Sequence, residues 1–232
     1  MDTAARTYLT SSQADRVDRI LAATNRLLVE VGVDKITMRQ LAAESQVAAA
    51  TLYNRFGSKD NIITLAVIDH FERSIQTIVS QVRDVGSPLD HAVYSLKVVH
   101  AEAMREPAFP RALMKTYFKL ESDRSMPERL YQALYQTWLP IVTAMSDSKS
   151  LRPWFDVASL CTELCDCEMN VMGQWGLGII PDDQLLDKLT FAVLAILLGA
   201  STGAQAEAVA KLMQDRLANL KKLRSGASAA KA

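Results

Sequence analysis

The stretch from Gly32 to Asp60 constrains the fold most, because it reads as two short helices joined by a tight turn, followed by the start of a third. Thr37 can accept a hydrogen bond from a free first-turn amide, and Gln40 three residues on completes a capping box. A helix should therefore open at about Met38. Leu41 and Ala42 lie on one face of it, the pattern breaks at Ser45-Gln46, and Leu52 and Phe56 recur four apart, as a second buried stripe requires. The pair is expected to pack through Leu41, Val47, Leu52 and Phe56. The outside of the second helix then carries Ala48, Ala49, Thr51, Asn54 and Arg55, small and hydrogen-bonding side chains that let a helix approach base edges closely.

Composition fits this reading. The chain has 232 residues and is 49% hydrophobic, enough for a sizeable core and better suited to a small domain plus a larger one than to one compact unit. Gly and Pro are scarce and apolar spacing is helical nearly throughout, so an all-α protein is expected. The formal net charge is zero, which by itself argues against nucleic acid. Placement matters more than the sum: from Lys35 to Lys59 the charges are Lys35, Arg39, Arg55 and Lys59 against Glu44, four minus one, or +3.

The run Ile36-Thr37, Leu41-Ala42, Val47, Thr51-Leu52-Tyr53, Phe56 and Ser58-Lys59-Asp60 resembles the DNA-binding domain of the tetracycline-repressor-like (TetR) family of one-component regulators, over about residues 15–65. Ser45-Gln46 stands where the family commonly has Ala-Gly, Ala48 where it has Ser, and Arg55 where it often has His. A turn without Gly requires Gln46 to tolerate left-handed backbone angles. The resemblance implies phosphate contacts from Thr37, Thr51, Tyr53, Arg55 and Lys59. It places Ala48, Ala49, Ala50, Asn54 and Arg39 toward the bases. Alanines offer only apolar contacts, so hydrogen-bond readout falls on Asn54, Arg39 or Gln46. For Tyr53 a half-buried core position is the alternative.

The resemblance also implies the layout of the whole chain: a flexible arm over 1–14, a three-helix helix-turn-helix domain over 15–60, and a C-terminal ligand-binding and dimerisation bundle over 61–224. Residues 225–232 lack apolar bulk and read as a disordered tail. Successive helices are expected over Arg16–Val31, from Ser58 to about Val85, Pro88–Arg105, Phe109–Leu120, Pro127–Met145, Trp154–Trp175, and Pro181 to about Leu223. The uncharged run Leu189–Ala206 is a poor membrane span and a better buried helix whose small residues suit a subunit interface. The expected partners are a palindromic double-stranded DNA operator, a small-molecule effector and a second copy of the chain, docked through the last two long helices; no membrane is expected. No secretory signal is visible, so a cytoplasmic location is expected.

Aromatic and Met side chains concentrate at Met104, Phe109, Leu113, Met114, Tyr117, Phe118, Tyr131, Tyr135 and Trp138, with Phe71 on the connecting helix. They suit an apolar or aromatic effector whose polar atoms are placed by tyrosine hydroxyls, His100 or Arg111. Plain core is the competing reading of this set. Cys161 and Cys165 share a helix face and Cys167 points elsewhere, so buried structural thiols are favoured over a thiol or metal sensor. No cofactor or metal is expected. No Gly-rich phosphate loop, nucleophile elbow or His/carboxylate constellation points to an enzyme. The expected function is a sequence-specific regulator, a repressor released from its operator by an effector. The alternatives are control through the three cysteines or through a protein partner.

Overall fold

The structure, a computed structural model, describes residues 11–81, 86–117 and 125–229. Helix α1 (Ser11–Val31) buries Ile20, Ala23, Leu27 and Leu28, three or four apart, and stops at Gly32, whose φ of +78° suits a residue without a side chain. It begins at Ser11, inside the segment expected as an arm; residues 1–10 of that segment lie outside the described residues. Helix α2 (Met38–Ser45) packs on α1, and α3 (Ala49–Phe56) packs on α2. Helix α4 (Lys59–Gln81) then enters the C-terminal bundle, its start capped by the Ser58 hydroxyl, which accepts from the Asn61 amide. The expected continuation over 82–85 lies outside the described residues.

The bundle continues with α5 (Pro88–Arg105), α6 (Ala108–Tyr117), α7 (Ser125–Asp147), α8 (Val157–Gly176), α9 (Leu185–Ala200) and α10 (Gly203–Ala229). Ser87 and Asp90 form a capping box at α5, with Pro88 supplying its first residue. Asp156 caps α8 by accepting from the Ser159 amide at 2.8 Å. The helix therefore starts three residues after Trp154, which was expected inside it and instead stands 71% exposed.

The single helix expected from Pro181 to Leu223 is two helices. Ser201 takes an extended conformation and bridges to Leu151, while the Thr202 amide donates to Ser150 and the Arg152 amide to Ala200. Helical continuation across Ser201 and Thr202 gives way to these bonds, and Gly203, at φ +55°, starts the next helix. Helix α10 then runs to Ala229, into the segment expected as a tail.

One hydrophobic core runs from Ile20 and Leu41 in the N-terminal helices through Val67 on α4 to Leu189 and Val209 in the bundle. At its centre α6 and α8 nearly touch. A Cβ added to Gly176 would lie 2.7 Å from the Met114 Cβ, so this approach requires glycine.

Candidate nucleic-acid interface and ligand cavity

The capping box at Thr37 is formed: its hydroxyl accepts from the Gln40 amide at 3.2 Å, and the Gln40 side chain accepts from the Thr37 amide at 2.9 Å. The Thr37 hydroxyl also donates to Gln40 Oε1, so the phosphate contact expected of it competes with its structural duty. At the far end of α2 the turn closes on Gln46, at φ +55° and ψ +43°, whose amide donates to the carbonyls of Ala42 and Ala43. This is the left-handed cap that glycine usually fills. Ser45 is buried and its hydroxyl donates back to the Leu41 carbonyl, which satisfies it without a distant partner.

Leu41, Leu52 and Phe56 are buried and Val47 is partly buried against them, as expected. Ala49, Ala50, Tyr53 and Asn54 on α3, with Ala48 just before it, Gln46 and Arg39, face outward. Tyr53 is 53% exposed, which removes it from the core. Thr51 is partly covered, and the Arg55 guanidinium lies 5.9 Å from the centre of the Phe56 ring. No side chain caps α3; the Thr51 amide turns back to the Ala48 carbonyl at 2.9 Å, which leaves the Ala49 and Ala50 amides for an anion. Lys59 is tied down: its ammonium donates to the Ile36 carbonyl at 2.9 Å, fastening α4 to the segment before α2. Glu44, the acid on this stretch, pairs with Arg26 of α1 at 3.7 Å, leaving the outward field positive.

Behind this head, α4, α5, α6, α7 and α8 enclose a cavity of about 90 Å³. Phe71, Phe109, Leu113 and Met114 of the expected set line it. The others do not. Tyr131 and Tyr135 lie one residue round α7 from Leu130 and Leu134, which take the wall, and the Tyr131 hydroxyl donates to the Thr162 carbonyl. Helix α5 turns Val99, Glu102 and Ala103 inward, so His100 faces away, toward Asp182 and Asp187. Arg111 is paired with Asp182 and stacked 5.0 Å from the Trp175 ring centre. Met104 and Tyr117 pack at the edge of the core, and Phe118 lies outside the described residues.

Trp138 stands behind the wall, and its indole N–H donates to Glu168 at 3.0 Å. Glu168 itself lines the cavity at 3% exposure, and burial pushes its carboxyl up to about 7 even though the Trp138 bond favours the ionised form. His70 also lines it, stacked on Phe109 with ring centres 3.8 Å apart and held below its ordinary value by burial. Sequence reasoning missed both as cavity residues. The signal was available for Glu168, a lone acid among Leu164, Cys165, Met169, Val171 and Met172 on the inner face of α8.

The thiols are quiet. Cys161 and Cys165 are fully buried, and burial pushes Cys161 up to about 11 and Cys165 to about 12. Cys167 rises to about 11, from burial first and the Glu168 charge second. At neutral pH the reactive thiolate is therefore scarce.

Residues 20–65 match the family model of bacterial regulatory proteins of the tetR family. Those residues are a DNA-binding domain of the tetR type. The transcriptional repressor KstR of Rhodococcus jostii is 29% identical over 109 residues, 46% of this chain and 50% of its own length. The chain spans half or less of the length of the curated relatives it matches. Two solved structures extend the likeness to the bundle. Thermus thermophilus FadR, in complex with lauroyl-CoA, has a TM-score of 0.61 and 18% identity, covering 79% of this chain and 94% of its own. RolR, in complex with resorcinol, has a TM-score of 0.62 and 14% identity, covering 85% of this chain and 93% of its own. At such identities the agreement concerns the TetR-like fold. Among the described residues, no helix is long and apolar enough to cross a membrane.

Proposed function

We propose that the chain is a ligand-responsive transcriptional regulator that binds a palindromic operator as a homodimer and leaves it when an effector fills the bundle cavity. The observation that carries the reading is α4. At its start Lys59 holds the carbonyl of Ile36 in the DNA-reading head, and two to four turns on Val67, His70, Phe71 and Ser74 form part of the cavity wall. One rigid helix thus touches both the duplex-facing unit and the ligand space, the kind of element through which a binding event can reset the separation of two recognition helices. By linkage the effector must bind the released state more tightly than the DNA-bound one, by roughly 1 to 3 kcal/mol.

A small aromatic or acyl effector is supported by the resorcinol and lauroyl-CoA held by the two structural relatives, and repression by the KstR match. Dimerisation through the last helices is supported by α9, where Ala195 and Gly199 are exposed and Phe191, Ile196 and Leu198 only partly covered, a surface apolar enough to want a partner. Two recognition helices on a two-fold axis read an inverted repeat that one helix cannot specify.

Selection of bound DNA from a random duplex library tests the reading. An inverted repeat with half-sites about one helical turn apart supports it. A folded protein that enriches no sequence, or an operator affinity untouched by every compound the cavity binds, removes it.

A further inference from the structure

The cavity wall is apolar except at a few points, and its charges are of one sign. Glu102 and Glu168 line it, and among the described residues no Lys or Arg does. Glu102 is paired with Arg105 at 2.7 Å. His70 is kept toward its neutral form by burial. Glu168 is different: it sits 3% exposed, one of its oxygens accepting from the Trp138 indole. A carboxylate offers about four acceptor sites, so that single bond leaves acceptor capacity on the cavity side. We infer that the cavity receives a lipophilic amine, with Glu168 accepting from its ammonium head and Phe109, Met114, Met169 and Met172 enclosing its apolar body. This rests on reading the cavity as the effector site.

Three further observations favour that class. A purely structural partner for the Trp138 N–H would serve as well as an uncharged amide, without the cost of an acid in an apolar wall. Burial holds Glu168 at about 7, where an arriving cation stabilises the ionised form and an arriving carboxylate meets repulsion. The three methionines Met114, Met169 and Met172 can re-pack, so a space of about 90 Å³ can open around a single ring.

The test is a matched series sharing one ring and differing in the head: benzylamine, benzyl alcohol and benzoate, titrated calorimetrically into the full chain at pH 8. Benzylamine should bind tightest and benzoate weakest, the two ends separated by about tenfold or more, the scale of a charge-assisted hydrogen bond. Glu168→Gln keeps an acceptor for Trp138 and should collapse that separation while leaving benzyl alcohol nearly unchanged. If the variant does not fold, the ordering in the unaltered protein decides alone. Benzoate binding as tightly as benzylamine, or a head-group preference that survives Glu168→Gln, overturns the amine assignment and leaves the effector cavity standing. Binding by none of the three removes both.

Discussion

The DNA-reading head and the bundle solve opposite problems with the same helices. The head turns its chemistry outward: Asn54, Tyr53 and Arg39 are exposed, and few buried side chains hold α2 and α3 in place. The bundle turns its chemistry inward, with Glu168 buried against Trp138 in the wall of a largely apolar cavity. The contrast sets which variable each region answers to. Contacts made in water to a phosphate surface are weakened by salt, whereas a buried acid is shielded from salt and governed by proton and ligand.

The largest effect should come from attacking the thin core of the head. Leu52→Ala is expected to cost about 2–5 kcal/mol in urea denaturation, because the side chain is fully buried where little else can collapse around it. A loss below about 1 kcal/mol would mean that the head is not the tightly keyed unit described here.

Next comes the outward chemistry. Asn54→Ala should cost about 1–3 kcal/mol at particular operator bases and leave others alone, while Arg55→Ala should weaken all sequences and lower the salt slope by about one. Loss of folding in either variant, seen by circular dichroism, would move those side chains from the surface to the core.

The inward chemistry answers to pH. Because Glu168 is raised from the ordinary carboxyl value to about 7, its contribution to stability is full below about pH 4.5 and is lost as pH rises through about 7. Glu168→Gln carries no such titration. The variant should match the parent near pH 4 and exceed it by about 1–3 kcal/mol near pH 8, read as a difference between thermal melts at the two pH values. Equal differences at both would show that Glu168 does not titrate in this range.

The smallest effect tests the turn. Gln46→Gly relieves a left-handed backbone position and should stabilise the head by about 1 kcal/mol, with operator affinity reduced if Gln46 also reads a base. Destabilisation would mean that the Gln46 side chain holds the turn through contacts that outweigh its backbone cost.

The same contrast explains what could be read from sequence. The head is built of bonds spanning three or four residues, such as Thr37 to Gln40 and Ser45 to Leu41, so its caps, turn and buried stripe are legible in a short window. The cavity is built of partners far apart in the chain. Glu168 and Trp138 are separated by 30 residues, and Leu134 rather than Tyr135 lines the cavity because of helix rotation that composition does not reveal. The break at Ser201 was hidden for a related reason: it is made by backbone bonds to Ser150 and Arg152, which leave no mark in the local pattern.

Phe109 has two neighbours to satisfy. One side of its ring belongs to the cavity and stacks on His70, while the residue also borders a groove lined by Asn25, Arg26, Val29 and Glu30 of α1. It is a party wall. A substitution there that improves the fit of some new compound also alters the seat of the first DNA-domain helix, so retuning recognition at position 109 carries a change of set-point with it. Met169 and Met172 border the cavity from α8 alone. They are the positions at which a chain of this design can acquire a taste for a new molecule and keep its old threshold.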